Sequence, residues 1–382
     1  MAIISERYHR YNRLPATCAS DQGANVDLNV TVLYNRSPMY WGGACASMRR
    51  VVVSLCAIVA VLVGGCATPE SSPSVTPSAY PGRQLPEGPL LFGDTIAYVS
   101  DGPGNYEVFV LSPDSQPARL TESEEDESSP VWSPDGTMIA FSRQEADGTI
   151  DVWIMDADGG SRHRIYDSGS IFLEGIAWHP NGRSIYLGRG YFDGPGNMGL
   201  KVIAISVEGP ETQSGLGVER LWDPHFTYAY PSVTVDGAKV AFAHYERYAL
   251  PFRLDIYTGD LAADGMSVHR IVRLTEEEGG DLSPAWSRDG TALAWAHETA
   301  RNSENYDIWV MNADGSEGRP VTSEPGQEVD PVWSSDGRAV IYASDEGGSF
   351  QLYMRSAWGD EEVLQLTNGG GNKLNPHVKP SP

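Results

Sequence analysis

From about residue 94 onward, short apolar runs alternate with turn residues in a repeating order. After the turn at Ser133-Pro134-Asp135-Gly136 come an apolar run at Met138–Phe141, a glycine-containing loop, a second run at Asp151–Met155 and a turn at 156–160. Each run has the length of a β-strand and is bounded by Gly, Pro, Asp or Ser, which is typical of strands joined by tight turns. A weaker run then leads into the next repeat, so the pattern predicts four short strands per repeat.

A tryptophan in front of the turn marks most of the repeats. Six equivalent positions are separated by 46, 55, 53, 47 and 45 residues, and they are Trp132, Trp178, Val233, Trp286, Trp333 and Val378. A period in this range with four strands per repeat is typical of β-propellers. We expect the tryptophan to pack between neighbouring blades, because its large apolar surface is buried best there.

The two ends of the repeat region complement each other. The first repeat begins at Thr95–Tyr98, on the strand that follows a turn, and the chain ends on a strand of the tryptophan type at Asn375–Val378. Pairing the N-terminal strand with the C-terminal strand would close the ring and remove exposed sheet edges. The sequence therefore predicts an all-β fold, a six-bladed β-propeller over 94–382. This count requires the degenerate third repeat, Val233–Gly237, to be a blade.

Residues 48–65 have the features of a secretory signal. Met48-Arg49-Arg50 is basic, Val51–Val63 is apolar, and Val63-Gly64-Gly65-Cys66 resembles a bacterial lipobox. The apolar run is shorter than the roughly 20 residues that span a bilayer. We expect a signal peptide at 48–65, a lipid on Cys66 and a Pro- and Ser-rich tether over 66–93. An uncleaved anchor is the alternative, and residues 1–47 are expected to be a mis-assigned or disordered extension.

Charge and cysteine content narrow the functional classes. The formal net charge is −24, from 27 basic and 51 acidic residues. This balance argues against nucleic-acid binding, since phosphate would be repelled, and it favours a basic partner or a cation. All four cysteines precede the repeats, so we expect neither a disulfide nor a cysteine metal site in the propeller; they are Cys18, Cys45, Cys56 and Cys66.

The repeated motifs resemble a known family. The turns of WSPDG type, the run Asp307–Gly315 and the Leu-Thr endings at 120–121, 274–275 and 366–367 are similar to those of TolB-type β-propellers. The resemblance covers about 94–382 and implies an extracytoplasmic propeller of the bacterial envelope. TolB proteins have an additional α/β domain before the propeller, and here the Pro-rich tether occupies that place. Related propellers accompany prolyl-oligopeptidase-like hydrolase domains, but the chain has no Gly-x-Ser-x-Gly motif.

Candidate binding residues come from two sets of positions that should meet at one mouth of the central channel. Five residues before each tryptophan position the chain reads Glu127, Leu173, Tyr228, Asp281, Glu328 and Lys373. The strand after each turn supplies Ser100, Arg143, Arg189, His244, His297 and Ser344 at matching places. The predicted site comprises Glu127, Tyr228, Asp281, Glu328, Asp330, Arg143, Arg189, His244 and His297. The alternative is a set of solvated loops in which Arg and His pair with carboxylates.

Metal and catalytic chemistry have weaker support in the sequence. Turns such as Asp156-Ala157-Asp158-Gly159 offer few oxygen ligands, so calcium is a minor alternative and no other cofactor is expected. His244 and His297 resemble part of the histidine ring of pectin-degrading propeller lyases, but two histidines are too few. No set of nucleophile, base and orienting group is visible in the sequence.

These observations together predict a non-enzymatic binding scaffold. We expect a propeller that is extracytoplasmic, lipid-anchored to a membrane at the cell surface or in the periplasm, and able to bind an envelope protein or a small polar ligand. The alternative is a hydrolase or lyase that acts on peptide or polysaccharide.

Overall fold

The computed structural model describes residues 92–380 apart from 193–197, 208–226, 246–253, 264, 266, 277, 300–304 and 360–362. The regular elements of these residues are all β-strands. The predicted signal peptide at 48–65, Cys66 and almost all of the tether lie outside the described residues. Nothing in the described ranges forms a helix long and apolar enough to cross a membrane.

The strands form six antiparallel sheets, which we number as blades 1 to 6. Blade 1 contains β1 (Ile96–Ser100), β2 (Glu107–Leu111), β3 (Ala118–Arg119) and, from the far end of the chain, β23 (Lys373–Val378). Blade 2 contains β4 (Glu127–Trp132), β5 (Met138–Gln144), β6 (Ile150–Asp156) and β7 (His163–Tyr166). Blade 3 contains β8 (Leu173–Trp178), β9 (Ser184–Phe192) and β10 (Met198–Ser206).

The remaining blades follow the same order. Blade 4 contains β11 (Thr227–Val233), β12 (Lys239–Tyr245), β13 (Asp255–Leu261) and β14 (Val268–Arg273). Blade 5 contains β15 (Asp281–Trp286), β16 (Ala292–Glu298), β17 (Tyr306–Asn312) and β18 (Arg319–Pro320). Blade 6 contains β19 (Glu328–Trp333), β20 (Ala339–Ser344), β21 (Gln351–Ser356) and β22 (Val363–Gln365).

One edge strand of each blade belongs to an inner ring formed by β4, β8, β11, β15, β19 and β23. Each of these strands contacts the next, and β23 contacts β4, so the ring is closed. The second strand of a blade, such as β1 or β20, is buried along its whole length because neighbouring blades cover both of its faces. The predicted six-bladed propeller is confirmed, including the degenerate third repeat, since β11 ends on Val233.

The tryptophans at the ends of the inner strands join neighbouring blades, as the sequence predicts. Nε1 of Trp178 donates a hydrogen bond to the carbonyl oxygen of Val131 in the preceding blade, at 3.1 Å. Nε1 of Trp333 donates in the same way to the carbonyl oxygen of Ala285, also at 3.1 Å. Each acceptor directly precedes the tryptophan of its own inner strand, so blades 3 and 6 make the same contact with the preceding blade.

The repeated turns owe their sequence to a local hydrogen-bond pattern. Ser133 Oγ donates to Asp135 Oδ1 at 2.7 Å and accepts from the backbone N–H of Met138 at 2.9 Å. Gly136 has φ of 67°, in the left-handed region that glycine adopts at little cost. The equivalent hydroxyls of Thr234, Ser287 and Ser334 make the same two contacts.

Every inner strand contains a β-bulge that we did not predict. The register between the inner strand and its neighbour shifts by one residue at the same place in all six blades. The residues at these shifts have φ between 51° and 72°, and we call them the bulge ring: Ser129, Gly175, Tyr230, Ser283, Asp330 and Asn375. Five of them precede a proline, which strands accept mainly at edges and bulges because it lacks an N–H. Successive side chains of a strand point to opposite faces of the sheet. One extra residue therefore makes each side chain before the bulge point to the face opposite to the one that it would otherwise have.

Closure of the ring depends on β23. This strand pairs with β1, so that Val378 lies opposite Ile96 and Lys373 lies opposite Ser100. Beside this ladder, the backbone N–H and Nδ2 of Asn372 donate to the two carboxylate oxygens of Asp101, at 2.6 and 2.9 Å. The predicted pairing of the N-terminal and C-terminal strands is confirmed.

A histidine on β23 extends the closure to the next blade. Nδ1 of His377 accepts a hydrogen bond from the backbone N–H of Trp132, at 3.2 Å. Burial lowers the pKa of His377 to about 4. Its imidazole is therefore neutral near pH 7, and Nδ1 can accept a hydrogen bond. The Nζ of Lys379 lies 4.8 Å from the centre of the Trp132 ring.

Deleting residues 373–382 should destabilise the whole propeller. The deletion removes β23 and leaves β1 as an open edge, so we expect the Tm to fall by more than about 10 °C, or the cooperative transition to disappear. Circular dichroism melts of the purified propeller measure this. A protein that lacks 381–382 alone is the control and should melt like the parent. A Tm within about 2 °C of the parent for the longer deletion would show that closure contributes little.

Candidate functional site

The two predicted sets of residues meet at one end of the propeller. We call this end, where the inner strands begin, the mouth. The register places each residue of the first set opposite its counterpart in the second, and the pairs are Glu127 with Arg143, Leu173 with Arg189, Tyr228 with His244, Asp281 with His297, Glu328 with Ser344 and Lys373 with Ser100. The alignment of these positions between repeats, which we inferred from the sequence, therefore agrees with the register of the strands.

The carboxylates of the first set are not exposed to solvent, which corrects the picture of an open charged rim at these positions. Glu127, Asp281 and Glu328 have relative exposures of 2%, 0% and 1%. They precede the bulge of their strand, and the bulge turns that segment so that these side chains point between blades. Their direct contact with a ligand stays a prediction.

The buried Glu127 belongs to a polar junction between blades 1 and 2. The Thr121 hydroxyl donates to Glu127 Oε2 and accepts from the backbone N–H of Val108, at 2.8 Å. Glu107, at the start of β2, accepts a hydrogen bond from Arg119 Nη2 at 3.0 Å. Burial raises the pKa of Glu127 to about 7, although the bond from Thr121 opposes the shift. The Arg-Leu-Thr ending of the repeat therefore supplies a cation and a hydroxyl to carboxylates at the junction.

The junctions contain acidic residues that sequence reasoning missed. Each one is the first or second residue of the third strand of its blade, counted outward from the inner strand, and they are Glu107, Asp151, Asp255 and Asp307. Their signal in the sequence was an acidic residue directly before an apolar strand, as in the run that starts at Asp307. Three of the four have an arginine partner within the blade, and these partners are Arg119, Arg164 and Arg273.

His297 and Asp281 form a buried pair in blade 5. Nδ1 of His297 lies 2.8 Å from Asp281 Oδ1, and the same oxygen accepts a hydrogen bond from Trp295 Nε1 at 2.8 Å. The imidazole also packs edge-on against Trp309, with ring centres 4.9 Å apart. The structure therefore brings these two predicted residues together, but in a buried position between strands.

Glu328 and Asp307 form a pair of carboxyl groups at the junction of blades 5 and 6. Ser344 Oγ donates to Glu328 Oε1 at 2.9 Å, and the Thr322 hydroxyl lies 3.5 Å from Asp307 Oδ1. Burial raises the pKa of Glu328 to about 8, and the neighbouring Asp307 adds to the shift. Burial also raises the pKa of Asp307. Two adjacent buried carboxyls are stable together when they share a proton.

The predicted basic residues are held by contacts of their own. Arg143 donates to both oxygens of Glu145, at 3.1 and 3.0 Å, and its guanidinium carbon lies 3.7 Å from the centre of the Trp153 ring. Nη2 of Arg189 donates to the carbonyl oxygen of Ser168 at 2.5 Å. These contacts hold both arginine side chains against neighbouring parts of the chain at the mouth.

Three predicted residues remain, and they are His244, Tyr228 and Asp330. His244 is buried and packs edge-on against Tyr257, with ring centres 5.0 Å apart. The backbone of Tyr228 pairs with His244, while its side chain lies outside the described part of the structure. Asp330 belongs to the bulge ring, where its Oδ2 accepts a hydrogen bond from Nδ2 of Asn375 at 2.8 Å.

Acidic residues predominate in the outer loops of the mouth. These loops lead into the inner strands or join the second strand of a blade to the third, and their described residues include neither lysine nor arginine. Their acidic residues are Asp101, Glu122, Glu124, Glu125, Asp126, Glu145, Asp147, Asp167, Glu276, Glu278, Glu324, Asp345 and Glu346. The turns at the opposite end contain both signs, with Arg183, Arg288 and Arg338 among them.

The structure gives no support to a particular metal. Within the described ranges, no group of three or more His, Cys, Asp or Glu side chains is arranged to hold an ion. At the turn that begins with Asp156, Asp158 Oδ1 accepts the backbone N–H of Gly160 at 2.9 Å, which stabilises the turn itself. Calcium binding stays a prediction.

The Glu328→Gln variant should remove an alkaline loss of stability. The folded state holds a proton on Glu328 that the unfolded chain releases above its ordinary pKa of 4.5. This contribution is therefore complete below about pH 4.5 and is lost as the pH rises through about 8. Glutamine keeps the shape without the charge, so we expect the Tm of the variant to exceed that of the parent by at least about 3 °C at pH 9, and by less at pH 5.

Thermal melts across this pH range provide the measurement for Glu328→Gln. Glu124→Gln, which changes an exposed glutamate of the mouth, is the matched control and should follow the parent profile. If the Glu328→Gln and parent profiles run parallel from pH 5 to 9, the buried carboxyl pair does not control stability.

Comparisons with known proteins agree with this architecture. The family model described as the TolB beta propeller domain matches residues 214–382. An uncharacterized protein of Agrobacterium fabrum is 28% identical over 166 residues, which are 43% of this chain and 52% of that protein. The chain thus spans about half the length of the curated relative it matches.

Solved structures show the same fold. TolB from Acinetobacter baumannii is 22% identical, with a TM-score of 0.59 over 76% of this chain and 67% of that one. A putative TolB from Agrobacterium tumefaciens is 16% identical, with a TM-score of 0.55 over 74% of this chain and 92% of that one. The chain is thus similar to the TolB β-propeller domain over residues 214–382, and it shares the propeller fold of these solved structures.

Proposed function

We propose that the protein is an extracytoplasmic binding scaffold that captures a basic segment of an envelope protein at its mouth. The observation that supports this proposal is the excess of acidic residues in the mouth loops, whose described residues include many carboxylates and neither lysine nor arginine. A concave surface of one sign attracts ligands of the opposite sign and speeds their association. The rigid ring below holds the loops in fixed positions.

The buried carboxylates and the exposed ones have different parts in this proposal. Glu127, Asp281 and Glu328 belong to junctions that hold the blades together, so the partner meets the exposed acids above them, such as Glu124 and Glu346. Exposed charges are screened by salt, so capture should weaken as ionic strength rises. No observation on the described residues favours the alternative of a hydrolase or lyase.

A crosslinking experiment tests where the partner binds. Two exposed apolar residues offer matched positions for a photocrosslinking amino acid: Ile171, 51% exposed in a mouth loop, and Val235, 63% exposed at the opposite end. We expect a specific crosslinked product in the native host from position 171 and none from position 235. Equal products from both positions would argue against the mouth as the binding surface.

Matched charge reversals separate mouth chemistry from net charge. Glu124→Lys with Glu346→Lys reverses two exposed acids of the mouth, whereas Asp156→Lys with Glu317→Lys makes the same change of net charge at the opposite end. The first pair should remove the crosslink from position 171 and the second should keep it, while circular dichroism melts confirm that both variants fold. Survival of the crosslink in the first pair would contradict the proposal.

We also propose that the propeller is anchored through a lipid on Cys66, because a basic start, a short apolar run and a lipobox-like ending precede it. Cys66→Ser should abolish labelling by a fatty-acid analogue and move the protein from the membrane fraction to the soluble fraction. Continued labelling of the variant would show that the lipid is attached elsewhere, and continued sedimentation without labelling would indicate another anchor.

A further inference from the structure

Three blades repeat one ion pair in the same register. An acidic residue is the first or second residue of the third strand, an aromatic residue follows two positions later, and an arginine on the fourth strand lies opposite that aromatic. The distances between the arginine nitrogen and the carboxylate oxygen are 3.0 Å for Arg119–Glu107, 2.8 Å for Arg164–Asp151 and 2.9 Å for Arg273–Asp255.

Blades 5 and 6 depart from this pattern in different ways. In blade 6 both charges of the pair are replaced, by Gln351 on the third strand and Gln365 on the fourth. In blade 5 the acid Asp307 is kept, but the residue opposite Trp309 is Pro320. Blade 5 therefore has the carboxylate of the repeated pair without its cation.

Nearby arginines do not supply the missing charge. Arg319, next to Pro320, donates to the carbonyl oxygen of Ala357, and its guanidinium carbon lies 5.5 Å from the centre of the Trp358 ring. Arg355 pairs with Glu324. Among the residues that the structure describes, neither Asp307 nor Glu328 forms an ion pair with a lysine or an arginine.

The junction contains a buried oxygen that depends on the shared proton. Glu328 is 1% exposed, Ser344 donates to its Oε1, and among the described residues no N–H or hydroxyl donates to its Oε2, so the hydrogen bond with the Asp307 carboxyl is the other contact of this side chain. Other charged or titratable groups face the pair from neighbouring strands: His297 from β16, Glu324 from the loop before β19, and Tyr342 and Arg355 from blade 6. Glu324 adds a third carboxylate near the pair, and a cation placed between Asp307 and Glu328 would stabilise their charged forms.

We propose that this junction, formed by Asp307, Glu328 and Thr322, is a binding site for a guanidinium group. Its occupant is an arginine side chain of the basic segment captured at the mouth, which takes the place that the chain's own arginine has in blades 1, 2 and 4. The source of this arginine rests on the proposed function, whereas the site itself rests on the repeated register and on a buried carboxyl pair whose Glu328 Oε2 has no N–H or hydroxyl donor among the described residues.

The sister blades show how such a side chain reaches a buried carboxylate. Arg119, Arg164 and Arg273 have side chains 33%, 46% and 30% exposed, while their partner acids are almost fully buried. Each therefore enters from solvent at the outer side of the blade. Pro320, at the equivalent position, is exposed, so the same route in blade 5 starts at the protein surface.

Binding of the cation should release a proton. In the free protein the two carboxyls share one proton; when a guanidinium pairs with them, the carboxyl O–H bond breaks, the proton passes to water, and two carboxylates face one cation. The expected stoichiometry is up to one proton released per bound cation near pH 7.

Calorimetry with n-propylguanidinium, which has the shape of an arginine side chain, tests the site without any partner protein. We expect binding to the folded propeller with a Kd on the order of 1 mM, and a heat that depends on the ionisation enthalpy of the buffer because a proton is released. The neutral analogue n-propylurea should not bind.

Variants connect this binding to the junction. Pro320→Arg restores the arginine of the sister blades and should abolish binding of the probe, and Asp307→Asn should weaken it at least about tenfold. Gln365→Arg introduces an arginine at the equivalent position of blade 6, whose third strand has Gln351 in place of the acid, and should bind like the parent. If Pro320→Arg does not fold, Asp307→Asn decides the question.

The proposal is overturned if the parent protein does not bind n-propylguanidinium, or if Pro320→Arg or Asp307→Asn binds it as well as the parent. This failure would leave the crosslinks from position 171 unaffected. Conversely, loss of those crosslinks alone would remove the proposed source of the arginine and leave the guanidinium site standing.

Discussion

The hydrogen bonds between β23 and β1 turn six similar sheets into a ring. Without them, blade 1 would have an open edge at the centre and blade 6 would have no neighbour on one side. The same strand carries Asn372 and His377 at or near its ends, which contact Asp101 in blade 1 and Trp132 in blade 2. The closing strand therefore joins three parts of the chain, and the mouth depends on it for its shape.

The bulge in each inner strand decides what the mouth can do. An inner strand has a ladder partner on one side alone, so it can accept a proline and a left-handed residue such as Ser129 or Asp330. Because the bulge reverses the faces of the preceding segment, Glu127, Asp281 and Glu328 turn into the junctions between blades. Exposed charge at the mouth then comes from the loops, while the acids below them hold neighbouring blades together.

The fold could be predicted from the sequence because its signal repeats. Trp132, Trp178, Trp286 and Trp333 mark a period, the Ser-Pro-Asp-Gly turn has a local cause, and the complementary ends of the repeat region predict closure. The cross-strand partners at the mouth could also be predicted, because they depend on counting from those tryptophans. The direction of their side chains could not, since a single extra residue reverses it. Prolines such as Pro130 and Pro284 were the available signal for the bulge.

The ion pairs at the junctions were missed for a different reason. In the sequence, Asp307 resembles any acidic residue beside an apolar strand. Its lack of an arginine partner is seen only when blade 5 is compared with the blades in which an arginine pairs with the equivalent acid. Such a comparison requires the register between the third and fourth strands, which is short in blades 1 and 5 and leaves little pattern in the sequence. Only this register shows that Pro320 takes the position that an arginine has in blades 1, 2 and 4.

Ring closure also has a consequence for how the protein is made. The strand that completes blade 1 is the last of the strands to leave the ribosome, so β1 waits through the synthesis of five blades without its inner partner. During that interval its apolar residues, from Ile96 to Val99, form an open edge that could pair with another chain. Until its final strand arrives, a nascent propeller of this design therefore presents an apolar strand edge that the folded protein covers.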